Sequence, residues 1–320
     1  MTNANLSPVT VLDRQCEQRS EPGYLAAVLE SPSHKVMFFH RGKALLEGAA
    51  VGYFDPTALP PELPAGTISV YLGKVAAGQG HRLPPGTDLV LKFLPYDAGD
   101  LTWLPGGEFA GYREAAYGLD GGDAQIFIVA QAIANWHSTH TRCPRCGSPT
   151  VVEWSGWMRR CGQDNSEHFP RTDPAVIVAI VGADDRILLA NNFAWEENRY
   201  STVAGFVEAG ESAEEAAVRE IAEEVGVHLH AVGYLSSQSW PFPRSLMLGF
   251  VGYTNDVAAT PDNVEVRAAR WFGREELQAA VLAGEAIISH RLSIARSLIE
   301  HWYGGPILEP EAVLEHGERA

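Results

Sequence analysis

At 320 residues the chain is long enough for about two domains, and with 46% hydrophobic and 20% charged residues it has the composition of a folded globular protein. A net charge of −16 argues against a broad basic surface for gripping long nucleic acid, while leaving room for a local basic pocket that takes a small phosphorylated ligand. No apolar run approaches the ~18 residues needed to span a bilayer. The start MTNANLSPVT has neither the basic opening nor the apolar stretch of a secretory signal, so the expectation is a cytoplasmic protein with no membrane partner.

In chain order, residues 1–137 carry short β-like runs, KVMFFH, TISVYLG and TDLVLKFL. Turn-rich stretches, DPTALPPELPAG and YDAGD, separate them. They predict a mostly β domain with a helix near its end, over Ala124–His137, where the apolar residues fall at helical spacing. Residues 138–172 hold three of the four cysteines: Cys143, Cys146 and, fifteen residues further on, Cys161; Cys16 is far away. In a long cytosolic chain that clustering favours a metal knuckle over a disulfide framework. A second CxxC pair would put a cysteine at position 164, where the chain has Asp164. A carboxylate binds Zn²⁺, so Cys143, Cys146, Cys161 and Asp164 form one possible ligand set. His168 is the alternative fourth ligand, and a knuckle held by packing without zinc is the third reading.

From Asp173 to residue 305 strands and helices alternate. AVIVAIVG and RILLANN read as paired strands around a turn at Ala183-Asp184-Asp185, a strongly marked helix covers 213–225, and further strands fall near YLSSQSW, SLMLGFVGYT and EVRAARWF. Helices follow at REELQAAVLAG and SIARSLIEHW. Residues 306–320 are a polar tail whose EPEAVLEHGERA end reads as disordered.

The most informative segment is GFVEAGESAEEAAVREIAEEVGV, Gly205 to Val227. Ser212 and Glu215 have capping-box spacing, and Gly226 suits a left-handed helix end. Between them Ala216, Ala217, Ile221 and Val225 make a buried stripe. Glu220, Glu223 and Glu224 stand at i, i+3 and i+4 and share a face, where like charges repel unless a cation sits among them. Arg219 can supply some compensation and is expected to orient the box by ion pairing rather than touch substrate, although it precedes Glu220 and points elsewhere on the wheel. An arbitrary acidic helix is usually just solvated. Here a divalent cation, with its liking for a few carboxylates plus substrate phosphates, is the natural counter-charge.

The segment fits G-x5-E-x7-R-E-U-x-E-E-x-G-U at every fixed position, from Gly205 and Glu211 through Arg219, Glu220, Ile221, Glu223, Glu224, Gly226 and Val227. It resembles the signature of the Nudix hydrolases. A second block, SQSWPFPRS from Ser237 to Ser245, resembles the SQPWPFPxS signature of the NADH pyrophosphatases, with Ser239 in place of a proline. The order of β domain, zinc ribbon and catalytic domain is similar to that family as well. The resemblance implies an α+β protein: a Nudix α/β/α sandwich at 173–305 behind a ribbon at 138–172 and a β domain at 1–137. It implies hydrolysis of NADH or NAD⁺ to AMP and a nicotinamide mononucleotide, with Mg²⁺ or Mn²⁺ held by Glu220, Glu224, Glu265 and the Ala204 carbonyl. Glu223 lies close by, and it or Glu224 takes the water's proton. It implies dinucleotide contacts at Gln238, Ser239, Trp240, Pro241, Phe242, Pro243, Arg244 and Ser245, nicotinamide stacking between Phe169 and Phe206, a lesser contact at Ala295, structural zinc, and a homodimer. NAD-capped RNA is a second substrate with the same bond. A broader Nudix activity on ADP-ribose or diadenosine polyphosphates, and a Nudix-derived regulator without catalysis, are the competing functions.

Overall fold

The computed structural model describes residues 10–77 and 81–310, and the chain divides between Arg171 and Thr172 into two compact units. The C-terminal part of the expected tail, 311–320, lies outside the described residues.

In the first unit, β1 (Leu12–Asp13), β2 (Lys35–His40), β3 (Lys43–Glu47), β4 (Ala50–Val51), β5 (Ile68–Val75), β6 (Asp88–Phe93) and β7 (Glu108–Ala110) form one sheet. Its order is β1-β5-β6-β2-β3-β4, with β7 on β3. Val36, Met37, Phe38, Phe39, Leu89 and Leu91 are all fully buried, so the central strands β2 and β6 have both faces covered. That burial explains their unbroken apolar sequence. Helices α1 (Tyr24–Glu30), α2 (Tyr112–Ala115) and α3 (Gly121–Thr139) complete the packing. The predicted helix starts three residues earlier than Ala124, because Asp120 caps it by accepting the Asp123 N–H at 2.7 Å. Asp123 is itself buried, and its carboxylate takes the Val51 N–H, the Tyr53 hydroxyl and His81 Nε2 at 2.7–2.9 Å. His81 Nδ1 accepts from Leu83 N–H. His81, Asp120 and Asp123 lie close enough to suggest a metal cluster, yet His81 and Asp123 already have protein partners.

The same unit contains the ribbon, a three-stranded antiparallel sheet of β8 (Thr150–Glu153), β9 (Met158–Cys161) and β10 (Glu167–His168). Trp157 Nε1 donates to the Tyr71 carbonyl at 2.6 Å and fastens the ribbon to β5. The ribbon is thus structurally part of the N-terminal unit.

The second unit is built on β11 (Asp173–Gly182), β12 (Ile187–Asn192), β13 (Val203–Phe206), β14 (Leu229–Trp240), β15 (Ser245–Thr254) and β16 (Val266–Phe272). The order is β14-β15-β11-β12-β16, with β13 also on β11; β11 and β15 are parallel and the other pairs antiparallel. Helix α4 (Ala213–Val225) covers one face through Ala216, Ala217, Ile221 and Val225, each fully buried. Helices α5 (Arg274–Leu282) and α6 (Ile294–Tyr303) cover the other, around Leu277, Leu298 and Ile299. Each such side chain contributes roughly 1.5–3 kcal/mol by leaving water. The result is the expected α/β/α sandwich.

One expectation changes here. Residues 306–310 are not a free polar tail. Ile307 is buried against α6, and Glu309 Oε1 pairs with the fully buried Arg296 at 2.7 Å, so the segment closes the core and its acid neutralises a core cation. Ala295 also lies in that core and is 5% exposed.

Candidate active site

Strand β13 and helix α4 bring the box residues together. The capping box holds as read: the Ser212 hydroxyl accepts from Glu215 N–H at 3.2 Å, and Glu215 accepts from Ser212 N–H at 2.8 Å. Gly226, at φ +64°, ends the helix in the left-handed region. Arg219 orients the box by ion pairing, as expected, but with a wider reach than the helical wheel implies. Arg219 turns back over the loop before the helix. Its guanidinium bonds both oxygens of Glu211 (2.8 and 2.9 Å), the Phe206 carbonyl (3.0 Å), Glu220 (3.0 Å) and Glu223 (3.0 Å). The expectation that Arg219 points away from the acidic face is therefore wrong. An arginine side chain is long enough to reach i+1 and i+4 carboxylates and the preceding loop at once. Glu211, held by Arg219 and by the Glu208 N–H, has its carboxyl pulled down to about 2.

The three helix carboxylates differ. Glu223 is mostly exposed, at 61% of its side chain, and Glu220 is tucked in at 15%. Glu224 is half-buried, and desolvation, followed by repulsion from Glu220, Glu265, Asp262 and Glu223, pushes its carboxyl up to about 8. Arg219 reaches Glu220 and Glu223 but not Glu224, so the centre of the cluster lacks a cation. An anionic group of oxygen donors with that deficit fits a divalent ion.

Glu265 arrives from the loop before β16. That loop satisfies the last carbonyls of α4: Thr260 N–H donates to Val225 O at 2.8 Å and Asp262 N–H to Glu224 O at 2.9 Å. Asp262 then accepts N–H bonds from Val264, Glu265 and Val266 at 2.8–3.2 Å, which curls the chain and brings Glu265 back toward Glu224. Asp262 was missed from sequence. Its signal is an Asp followed by Asn263 at φ +58°, the makings of a side-chain-closed turn.

The WPFP stretch forms the turn between β14 and β15. Trp240 and Phe242 meet edge to face at 4.9 Å. Register locates this turn relative to the box. Ala175 of β11 pairs with Phe206 on one side and Met247 on the other, and Asp173 pairs with Ser245. Two strand spacings separate β13 from β15, roughly 10 Å. The box strand and the WPFP turn thus share one end of the sheet. Gln238 uses both ends of its amide on the chain before α6: it donates to Leu292 O at 2.6 Å and accepts from Ile294 N–H at 2.8 Å. Arg244 pairs with Asp173 at 2.7 Å; Ser245 and Pro241 are buried, whereas Ser239 and Pro243 are exposed.

In the ribbon, a sulfur of each of Cys143, Cys146 and Cys161 and an oxygen of Asp164 all lie within 4.8 Å of one another. Backbone N–H groups of Arg145, Gln163 and Asp164 donate to the Cys143 and Cys161 sulfurs at 3.4 Å. Asp164 Oδ1 is held by the Ser166 hydroxyl (2.5 Å) and N–H (3.0 Å), which keep its carboxyl well below the usual range; Oδ2 stands 3.7 Å from Cys143 Sγ. His168 Nε2 faces the Ser166 hydroxyl at 3.0 Å. Three thiols and a carboxylate converging in this way fit a structural Zn²⁺.

Known proteins are similar to this chain. The NUDIX domain family matches residues 171–292, and the NADH pyrophosphatase zinc ribbon domain matches residues 138–169. A Mycobacterium tuberculosis protein named NAD-capped RNA hydrolase NudC is 36% identical over 305 residues, 91% of this chain and 89% of its own. The chain belongs to the NudC-type Nudix hydrolases. A Stutzerimonas stutzeri NudC is 37% identical over 211 residues, 66% of this chain and 73% of its own. A solved Nudix hydrolase from Nitrosomonas europaea covers 53% of this chain and 97% of its own at 22% identity, with a TM-score of 0.37. As a NudC-type Nudix hydrolase, the chain carries its box carboxylates and WPFP turn on one unit and its ribbon on the other. Phe206, 56% exposed, belongs to the catalytic unit; Phe169, 41% exposed and 5.5 Å from Trp154, belongs to the ribbon. Among the described residues no helix is long and apolar enough to cross a membrane.

Proposed function

We propose that this Nudix hydrolase splits the diphosphate of NADH and NAD⁺ into AMP and a nicotinamide mononucleotide, and removes NAD caps from RNA by cutting the same bond. The observation that carries this reading is the cation-deficient cluster around Glu224 on the same end of the sheet as the WPFP turn. Glu220, Glu224, Glu265 and the Ala204 carbonyl are the ligands for Mg²⁺ or Mn²⁺, which when bound supplies positive charge to polarise the phosphoryl oxygens. The rest falls to the chain's own groups. Arg219 fixes Glu220 and Glu223 and joins them to the box loop. Glu223 or Glu224 takes the proton of the attacking water. Trp240, Phe242 and Phe206 offer aromatic surface to a flat base, and the prolines limit the entropy lost on binding. Gln238, Ser239, Arg244 and Ser245 shape the turn. Zn²⁺ at Cys143, Cys146, Cys161 and Asp164 is structural. The working form is a cytoplasmic homodimer.

The test is kcat/KM for NADH, NAD⁺, NAD-capped RNA, ADP-ribose and a diadenosine polyphosphate, each with Mg²⁺ and with Mn²⁺. NADH or capped RNA ranks first on this reading. ADP-ribose or the diadenosine compound leading would replace it with a broad-specificity enzyme. Light scattering on the purified protein tests the dimer.

A further inference from the structure

The loop between β12 and β13 holds two aromatic residues out in water. Phe193 is 47% exposed and Trp195 39%. Neither exposure follows from slackness, because the loop is tightly bonded. The fully buried Asn191 donates to Glu196 O and Arg199 O at 2.6 and 2.7 Å. Asn192 Oδ1 accepts from Ala194 N–H at 2.8 Å, and Trp195 N–H donates to Asn192 O at 3.0 Å. On its far side the loop is tied through Asn198 to Gly284 and Ile287. Arg267 closes it, donating to Phe193 O (3.0 Å) and Trp195 O (3.4 Å) with its guanidinium 5.2 Å from the Phe193 ring centre. Arg267 makes no ion pair among the described residues, unlike most arginines of this unit in a chain of net charge −16. The loop also borders the candidate catalytic centre, since Phe193 N–H donates to the Glu265 carbonyl at 3.0 Å.

We propose that Phe193, Trp195 and Arg267 form a stacking shelf for the first nucleotides of the RNA body of an NAD-capped RNA. This inference rests on the decapping half of the function proposed above. Three considerations favour RNA over other occupants. The bases of the dinucleotide already have aromatic surface at Phe206 and the WPFP turn, so further rigid aromatics suit a longer substrate. Rings held beside an uncompensated cation match the way single strands are bound, with a base on an aromatic face and a phosphate near a positive charge. The hydrogen bond to Glu265 puts the shelf at the rim of the hydrolytic site, where the chain beyond the cap must leave. Glu196 is neutralised by Arg199 at 3.0 Å, whereas Glu197 makes no ion pair among the described residues and opposes the approach of phosphate.

The experiment compares NADH with an NAD-capped oligoribonucleotide on the full-length protein. Phe193→Ala and Trp195→Ala each raise KM for the capped RNA about tenfold and leave kcat/KM for NADH within about twofold. Arg267→Ala lowers the salt dependence of capped-RNA cleavage by about one unit of log–log slope. Glu197→Lys lowers KM for the capped RNA, a gain that no folding defect can mimic. Equal losses on both substrates would mean that the loop serves Glu265 and would overturn the shelf. Unchanged KM for capped RNA would overturn it as well. A change of oligomeric state in Trp195→Ala, seen by light scattering, would reassign the surface to a second copy of the chain. Wild-type protein that cleaves NADH but not capped RNA sinks the shelf and the decapping half with it, and leaves the NADH hydrolase reading standing. Protein that cleaves neither sinks the proposed function and the shelf with it.

Discussion

Gly205 and Glu220 are in direct contact: a Cβ on Gly205 would lie 2.0 Å from Cδ of Glu220 and 2.3–2.4 Å from its oxygens. Strand β13 is thus the floor on which a candidate metal ligand rests, and only a glycine leaves space for it. Gly205→Ala must push Glu220 off its position while α4 stays capped and packed. We expect kcat/KM to fall by roughly a hundredfold or more, as misplacement by an ångström typically does. Circular dichroism should be unchanged. An alanine variant with wild-type kinetics would contradict the contact.

Glu224→Gln keeps the shape of the side chain and removes its charge. Turnover should be nearly abolished at saturating Mg²⁺, with the fold intact. The same variant checks a pH effect whose sign follows from the raised carboxyl. A folded-state value of about 8, against 4.5 for the free side chain, means that the native metal-free protein holds a proton the unfolded chain has released. Stability of the metal-free protein therefore declines as pH rises from about 4.5 to 8. The loss is on the order of 3 kcal/mol after allowing for water that reaches a partly open site. Chemical denaturation at several pH values should show that slope in wild type, a flatter one in Glu224→Gln, and its reversal by added Mg²⁺.

Arg219 is the hub of the box. Lysine has one charged tip and cannot serve Glu211, Glu220, Glu223 and the Phe206 carbonyl together. Arg219→Lys should cost about tenfold or more in kcat/KM, the scale of one charge-assisted hydrogen bond. It should also raise the Mg²⁺ concentration needed for half-maximal rate. Titrating activity against Mg²⁺ separates the two effects.

In the ribbon, Asp164→Ala should lose zinc, measured by metal analysis after dialysis against a weak chelator. Ser166→Ala leaves the ligand but frees its carboxylate, and should weaken zinc retention about tenfold. His168→Ala should keep full zinc, since His168 reaches Ser166 rather than the sulfurs. Zinc lost from His168→Ala and kept by Asp164→Ala would exchange their roles. Because the ribbon lies in the N-terminal unit, thermal unfolding should register the loss of zinc before steady-state kinetics do.

Much of the catalytic unit was legible because its signals are local. Helix α4 has a capping box, a left-handed glycine and an apolar stripe between Ser212 and Gly226, and its bounds match the expectation at both ends. The paired strands around Ala183-Asp184-Asp185 and the aromatic turn at Trp240 are local in the same sense. The N-terminal unit was read less completely. Short strands such as β4 and β7 gain their pairing only from β3, and two or three residues carry no periodicity of their own.

What the sequence determined by itself is the identity and spacing of the donors: the box glutamates, the three cysteines with Asp164, and the WPFP stretch. Backbone periodicity is enough to put such residues on one helix face or in one turn. Only the tertiary structure decided how they differ. It half-buried Glu224 and exposed Glu223, swung Arg219 across the box, folded Asp262 beneath Glu265, and closed the core with Ile307 and Glu309. It also turned His168 toward Ser166. Each of these depends on which long-range neighbour removes water or supplies an opposite charge, and that information is spread over residues far apart in the chain.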